Sequence, residues 1–299
     1  MRRTAARALA PVVALVAVLG GAACGSGGSS SSPPAPAPSS PASSSPALRS
    51  GPPVPPVAGI AAEVVENRTD RAAGGQVQVK VTDTGTEPFA VTSVALDSPG
   101  FTPLAPVAVT ASFVPGRRID LPTPYGAPVC GSAAEPAAAR LTLVRPGGAV
   151  EELRVPLVAE VLAGVHARLC AAEAVQEIVA VSVVGLAPAG DTLTGRLAVT
   201  RTGGAEAGVT VTRVEGNVLY TAEAELPLEL GAGEREVSAG LMITTARCDA
   251  HALAETKQPY LMPLAVAVDG GPEVVLDLPL DEVQRGQLRE LTERVCVPS

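Results

Sequence analysis

Aromatic residues are almost missing from this chain: three Tyr, three Phe and no Trp among 299 residues. Sugar rings and unpaired bases stack on flat aromatic faces, so a carbohydrate platform and a single-strand nucleic-acid groove both lack their main component. Lysine is nearly absent too, confined to Lys80 and Lys257, and 22 Lys+Arg against 30 Asp+Glu give a formal net charge of -8. A phosphate backbone is bound chiefly by cations that displace its counterions, so nucleic acid is excluded as a partner. Histidine occurs only as His166 and His251. The chain has no Cys-x-x-Cys pair, no Gly-x-Ser-x-Gly elbow and no phosphate-binding loop. The common metal, hydrolase and nucleotide sites need those patterns. We therefore expect no cofactor, no metal and no enzymatic activity.

What is present is a repeat. Val79-Lys-Val-Thr-Asp-Thr-Gly85 is answered by Leu197-Ala-Val-Thr-Arg-Thr-Gly203, and Val91-Thr-Ser-Val94 by Val211-Thr-Arg-Val214. Leu153-Arg-Val-Pro-Leu157 returns as Leu276-Asp-Leu-Pro-Leu280, and Arg168-Leu-Cys170 as Arg294-Val-Cys296. Cys130 and Cys170 thus match Cys248 and Cys296. Four cysteines allow three pairings. The repeat selects Cys130 with Cys170 and Cys248 with Cys296, because a duplicated unit that folds locally keeps its bridge within the copy. Each bridge is worth roughly 4 kcal/mol by loop entropy and points to an oxidising compartment.

Period-2 patterning dominates both copies. Ile60–Val65, Val77–Val81, Phe89–Leu96, Val107–Ala111, Arg118–Leu121, Leu141–Val144 and Val150–Leu157 read as strands in the first. Ile178–Val184, Leu193–Thr200, Val209–Val214, Glu223–Leu230, Arg235–Ile243, Leu264–Val268 and Val274–Leu280 read as strands in the second. Arg145-Pro-Gly-Gly148 and Asp269-Gly-Gly271 are hairpin turns. Val161, Leu162, Val165 and Leu169, and Val283, Leu288, Leu291 and Val295, are spaced for one helical face. Each copy should therefore close with a short amphipathic helix, the second capped by Asp281 with Gln284. The predicted fold is mainly β, two tandem antiparallel β-sandwiches each ending in a helix, over 57–171 and 172–299. By pattern it resembles the immunoglobulin-like and fibronectin-III-like modules of bacterial surface proteins.

The N-terminus reads as an address. Arg2, Arg3 and Arg7 precede an apolar run from Ala8 to Leu19, then Gly20-Gly-Ala-Ala-Cys24. That is the layout of a signal peptide over 1–23, with a core too short for a standard membrane span. Its end resembles the lipobox of bacterial lipoproteins, although Gly21 stands where Leu is usual. The resemblance implies that Cys24 carries a lipid anchor on the outer side of the cell membrane. The low-lysine, Ala/Val/Gly/Pro/Arg-rich composition resembles that of a high-GC bacterium such as an actinomycete. Ser, Pro, Ala and Gly dominate 24–56, a composition that buries too little apolar area to fold and suits a tether.

The copies differ most between Cys248 and the next strand, where 249–262 carries His251, Lys257 and Tyr260. Loops on rigid sandwiches are common places for binding functions, so these three residues are the candidate contacts. The expected role is a non-enzymatic envelope lipoprotein that binds or scaffolds a protein partner. The alternative is a small ligand or cell-wall polymer held at an inter-domain elbow over 171–176. His166 reads as a surface histidine.

Overall fold

Alternating valines set the first strands. Val77, Val79 and Val81 are wholly buried on one face of a strand, as period-2 patterning requires. The computed structural model describes residues 52–204 and 206–296. The signal peptide, Cys24 and most of the tether lie outside the described residues.

The first copy runs β1 (Ile60–Val65), α1 (Arg68–Ala73), β2 (Gln76–Asp83), β3 (Phe89–Asp97), β4 (Val107–Phe113), β5 (Arg118–Pro124), β6 (Ala138–Val144), β7 (Val150–Val158) and α2 (Glu160–Ile178). Its strands form one seven-stranded sheet in the order β4-β3-β6-β7-β1-β2-β5. The join is a short parallel pairing of β1 with β7, Ala62 opposite Leu157 and Glu63 opposite Val158. All other pairings are antiparallel. β3 and β4 also meet β5 across the core, so the sheet folds over into two layers.

The second copy runs β8 (Val179–Ala189), β9 (Thr192–Arg201), β10 (Val209–Val214), β11 (Tyr220–Ala224), β12 (Leu228–Leu230), β13 (Glu236–Thr245), α3 (Ala250–Glu255), β14 (Pro263–Val268), β15 (Val274–Asp277) and α4 (Glu282–Cys296). Two four-stranded sheets, β12-β10-β14-β15 and β11-β13-β9-β8, stack as an antiparallel sandwich. The chain is thus mainly β, as its patterning predicts. Two separate apolar clusters fill it, one drawn from Ile60 to Val165 and the other from Val175 to Leu291.

The repeat extends to the irregularities. β3 slips register between Val91 and Ser93, and β10 slips between Val211 and Arg213, at the same place in each copy. The extra residue is a threonine in both. Thr92 Oγ1 lies 3.3 Å from the Thr142 carbonyl, and Thr212 Oγ1 lies 3.4 Å from that of Ala265. A β-bulge bends and twists its strand, so the shared bulge gives both sandwiches the same local curvature.

Each terminal helix is anchored by leucine and a second aliphatic at matching distances before its cysteine. Leu162 and Val165 enter the first core, and Leu288 and Leu291 the second. Val161 and Val283, expected on the same faces, are exposed, because the buried stripe is narrower than their spacing suggests. The capping box of α4 forms: Gln284 N–H donates to Asp281 Oδ1 at 2.8 Å, and Asp281 N–H to Gln284 Oε1 at 3.0 Å. α4 also covers the edge strand β8, with Gln284 and Gln287 donating side-chain N–H to the Val183 and Leu186 carbonyls at 2.7 and 2.9 Å. Unpaired edge groups invite another strand, and these two glutamines occupy them.

Four elements depart from expectation. α2 is not a short helix ending at Cys170. It continues for 19 residues to Ile178, places Val175 in the second core and hands directly to β8. The segment 171–176 is therefore helix, not an elbow, because its apolar positions find a second core to bury against. The strand expected over 223–230 is split into β11 and β12, with Pro227 between them. Proline has no N–H to give a ladder. α1 and α3 lie where loops were expected. Asp269-Gly270 does turn the last hairpin, both at positive φ (49° and 66°), as the tight two-residue turn demands.

Candidate functional site

The segment 249–262 is fixed from several sides. At its start, Asp249 caps α3: its Oδ1 accepts the Ala252 N–H at 3.0 Å, and its Oδ2 pairs with Arg247 Nε at 2.8 Å. These contacts, the Ala252 N–H foremost, hold the Asp249 carboxyl below the usual carboxylate range. The Ala252 side chain is buried, and Cys248 just before it is bonded to Cys296. At its far end, Asn217 Nδ2 donates to the carbonyls of Pro259 and Leu261 at 2.8 and 3.2 Å. The same side chain's Oδ1 accepts the N–H groups of Leu219 and Tyr220 at 2.8 and 3.0 Å. One asparagine thus uses donors and acceptor together to tie the segment to the turn before β11. Gly216 makes that turn possible, since a Cβ there would lie 2.1 Å from the Tyr220 carbonyl oxygen.

The segment also reaches the first copy. Gln258 Nε2 donates to the Arg68 carbonyl at the start of α1. α1 is itself pinned by Asp70, which is 2% exposed. Its carboxylate accepts Gln76 Nε2 at 2.8 Å, Gln78 Nε2 at 2.7 Å and the Asn67 N–H at 3.0 Å. Burial pushes the Asp70 carboxyl up, and the bonds from Gln78, Gln76 and Asn67 outweigh it and hold it below the usual range. This explains why Gln78 is buried although it lies on the opposite face of β2 from Val77, Val79 and Val81. With Asp70 turned inward, Arg68 and Arg71, three apart on one helical face, are exposed.

Between α1 and the segment lies an open cleft of about 670 Å³. Its cationic wall comprises Arg68, Arg71, Arg247 and Lys257, with His251 beside them. Val218, Leu261 and Pro263 form an apolar floor, and among the described residues Asp277 is the one carboxylate of the lining. Of the predicted contacts, His251 and Lys257 line this cleft. Tyr260 turns to α4 instead: its hydroxyl accepts from Arg289 Nη1 at 3.2 Å, and the Arg285 guanidinium sits 5.8 Å over its ring. The sequence reading missed Arg68, Arg71, Asn217 and Gln258. Asp70 between two arginines was the only local hint, since a long-range meeting of α1 with 249–262 leaves no periodicity.

The cysteines pair within each copy, Cys130 with Cys170 and Cys248 with Cys296, at Cα separations of 5.4 and 4.9 Å. The lipidation residue Cys24 lies outside the described residues. His166 is buried rather than on the surface. It packs edge-on to Phe101 at 5.4 Å, with Nε2 3.3 Å from the Val129 carbonyl. It fills the space beside the Cys130–Cys170 bridge, its Nε2 3.6 Å from the Cys170 sulfur. Among the described residues no three His, Cys, Asp or Glu side chains group closely enough to hold a metal. Among them, too, no helix is long and apolar enough to cross a membrane.

No family model matches the chain, and no curated protein matches it. Solved structures similar to it include the YadV chaperone, at 15% identity over 74% of this chain and all of that one, with a TM-score of 0.20. Red sea bream transglutaminase is similar at 12% identity over 75% of this chain and 32% of that one, with a TM-score of 0.21. A protein of unknown function from Porphyromonas gingivalis W83 is similar at 12% identity over 73% and 94%, with a TM-score of 0.20. Likeness at this level carries no functional argument.

Proposed function

We propose that this chain is a non-enzymatic envelope lipoprotein whose two immunoglobulin-like sandwiches engage a protein partner outside the cytoplasm. The observation that carries the reading is the pair of disulfides, each closing its own copy, since such bridges persist in oxidising compartments. The lipobox-like end of the first 24 residues supports membrane attachment through Cys24, and the Ser/Pro-rich tether supports display away from the bilayer. The ligand reading at an elbow loses its support, because 171–176 is the interior of α2. The cleft beside α1 takes its place as the contact surface. Two rigidly supported walls, one from each copy, suit recognition better than chemistry.

The test is the N-terminus recovered from an envelope fraction of the host. Mass spectrometry should find a chain beginning at a diacylglyceryl-modified Cys24, and Cys24→Ala should release the protein into the medium. An unmodified N-terminus at another residue, or retention of the Cys24→Ala chain in the membrane, overturns the anchor. A non-reducing digest should yield the Cys130–Cys170 and Cys248–Cys296 peptides.

A further inference from the structure

The cationic wall of the cleft is out of character with the rest of the molecule. On a chain of net charge -8, Arg68 and Arg71 from one side and Lys257 from the other are exposed. Among the described residues none of the three has an ion pair, whereas Arg247 is engaged by Asp249. Beneath them lies apolar surface: Val218 is 49% exposed, with Leu261 and Pro263 alongside. We infer that this cleft docks an acidic peptide segment bearing aliphatic side chains, supplied by a partner protein.

Charge complementarity names the acid. Guanidinium forks match carboxylates in two-point geometry, and Lys257 adds a mobile point charge. The floor names the peptide. A phosphate-rich polymer has no use for an exposed valine beside half-buried leucine and proline, whereas Leu or Val beside Glu would bury against them. Among the described residues the lining holds no Phe, Tyr or Trp ring, so a sugar or a base lacks the broad stacking face it favours. The volume lies within the usual range of ligand clefts, about 300–1,000 Å³. The walls are set in advance by Asp70 under α1 and by Asn217 and the Cys248–Cys296 bridge around 249–262. Preorganisation of this kind lowers the ordering cost of binding. Asp277 opposes the docked acid and sets a limit on affinity.

This inference rests on the reading of the chain as an interaction protein, and its test uses a different readout. The full chain is titrated into a fluorescein-labelled octapeptide of alternating Glu and Leu, followed by fluorescence anisotropy at low salt. The peptide should bind, and the matching Lys/Leu octapeptide should not. Arg68→Glu/Arg71→Glu/Lys257→Glu should weaken binding at least tenfold, Asp277→Asn should tighten it, and Arg196→Glu on the exposed face of β9 should leave it unchanged. Raising salt to about 1 M shortens the screening length to about 3 Å and should weaken binding while leaving a residual apolar part. Absence of Glu/Leu binding overturns the inference, as does equal binding by the triple variant. Loss of binding in the triple variant without tightening in Asp277→Asn overturns it too, since unfolding alone produces that pattern. Binding of inorganic polyphosphate in place of the peptide rejects the apolar floor. A concentration-dependent dimer abolished by the triple variant assigns the cleft to a second copy of this chain. A lipidated chain that ignores the peptide loses only this inference, and an unlipidated chain that binds it loses only the anchor.

Discussion

The two copies share a scaffold and differ in how they close it. In the first, β1 pairs in parallel with β7 and one continuous sheet wraps the core. In the second, two separate sheets face each other, an extra strand β11 lies beside β13, and 249–262 replaces the shorter stretch 131–137 between cysteine and strand. What stays constant is what the core requires: the bulged threonine, the paired helix anchors and the helix-end bridge. What changes is a surface. The cleft draws one wall from α1, which only the first copy has, and the other from 249–262, which only the second has. Duplication thus supplied two stable frames, and divergence of opposite kinds in each supplied the two halves of a site. The same helical position shows the divergence in miniature. His166 packs beside a bridge in one copy. In the other, Thr292 joins the Leu288 carbonyl in holding the buried Tyr220 hydroxyl, at 2.7 and 2.9 Å.

If the frames are equivalent, equivalent damage should cost the same. The largest effect is expected from the bridges. Cys130→Ser/Cys170→Ser and Cys248→Ser/Cys296→Ser should each lower unfolding stability by roughly 4 kcal/mol, because their loops of 40 and 48 residues differ little in closure entropy. Urea unfolding followed by circular dichroism measures both. A difference above about 2 kcal/mol, far beyond what those loop lengths allow, breaks the equivalence. Next come the helix anchors. Leu162→Ala and Leu288→Ala each empty a fully buried site and should cost about 3 kcal/mol apiece. A much smaller loss at Leu162 would mean that α2, held in both cores, closes over the cavity better than α4 does.

Much of the frame was legible because cores leave periodic traces. Val77, Val79 and Val81 alternate, Leu288 and Leu291 share a helical face, and the repeat fixed which cysteine faces which. The Asp281 capping box is a local pattern, spelled out by Asp281 and Gln284 three residues apart. The continuation of α2 was hidden because Val175 is one apolar residue among alanines, and its partner core lies further along the chain. α1 was hidden because six residues carry too little pattern to stand out; what holds it is Asp70 meeting Gln76 and Gln78 on the neighbouring strand. The site was half legible for the same reason. His251 and Lys257 sit in an insertion that the repeat exposes by contrast, whereas Arg68 and Arg71 join them only through tertiary contact. Tyr260 belongs to the insertion but found cations on α4 to face.

A third test separates the copies by pH. Asp70 has no counterpart in the second copy, and its folded carboxyl titrates below the ordinary value of 3.8. A group depressed on folding stabilises at pH above its unfolded value, and that contribution is lost as pH falls through the folded value. Acid unfolding of the intact chain should therefore steepen below about 3.8. Asp70→Asn should cost about 2 kcal/mol at neutral pH, where the glutamine bonds lose their charged acceptor and the Asn67 N–H meets an amide donor, and should flatten the acid limb. An unchanged acid limb would place the relevant carboxylates elsewhere. The same variant should loosen α1 and weaken the Glu/Leu peptide without touching any cation of the cleft.

The smallest effects come from the bulges, and here the copies should part. Thr92 has its single hydroxyl proton directed at the Thr142 carbonyl over a long 3.3 Å, so Thr92→Val should cost no more than about 1 kcal/mol. Thr212 has a better acceptor: Glu273 Oε1 lies 2.6 Å away and the Ala265 carbonyl 3.4 Å, so the proton goes to the carboxylate. The Thr212 hydroxyl is the foremost cause holding Glu273 below its ordinary value of 4.5, with Arg213 assisting. Thr212→Val should therefore raise the Glu273 titration point toward 4.5, read from the side-chain carboxyl resonance by NMR, while Thr92→Val leaves every carboxyl where it was. An unmoved Glu273 would mean that the Thr212 hydroxyl serves the strand rather than the carboxylate. The two bulges would then be alike in chemistry as well as in place.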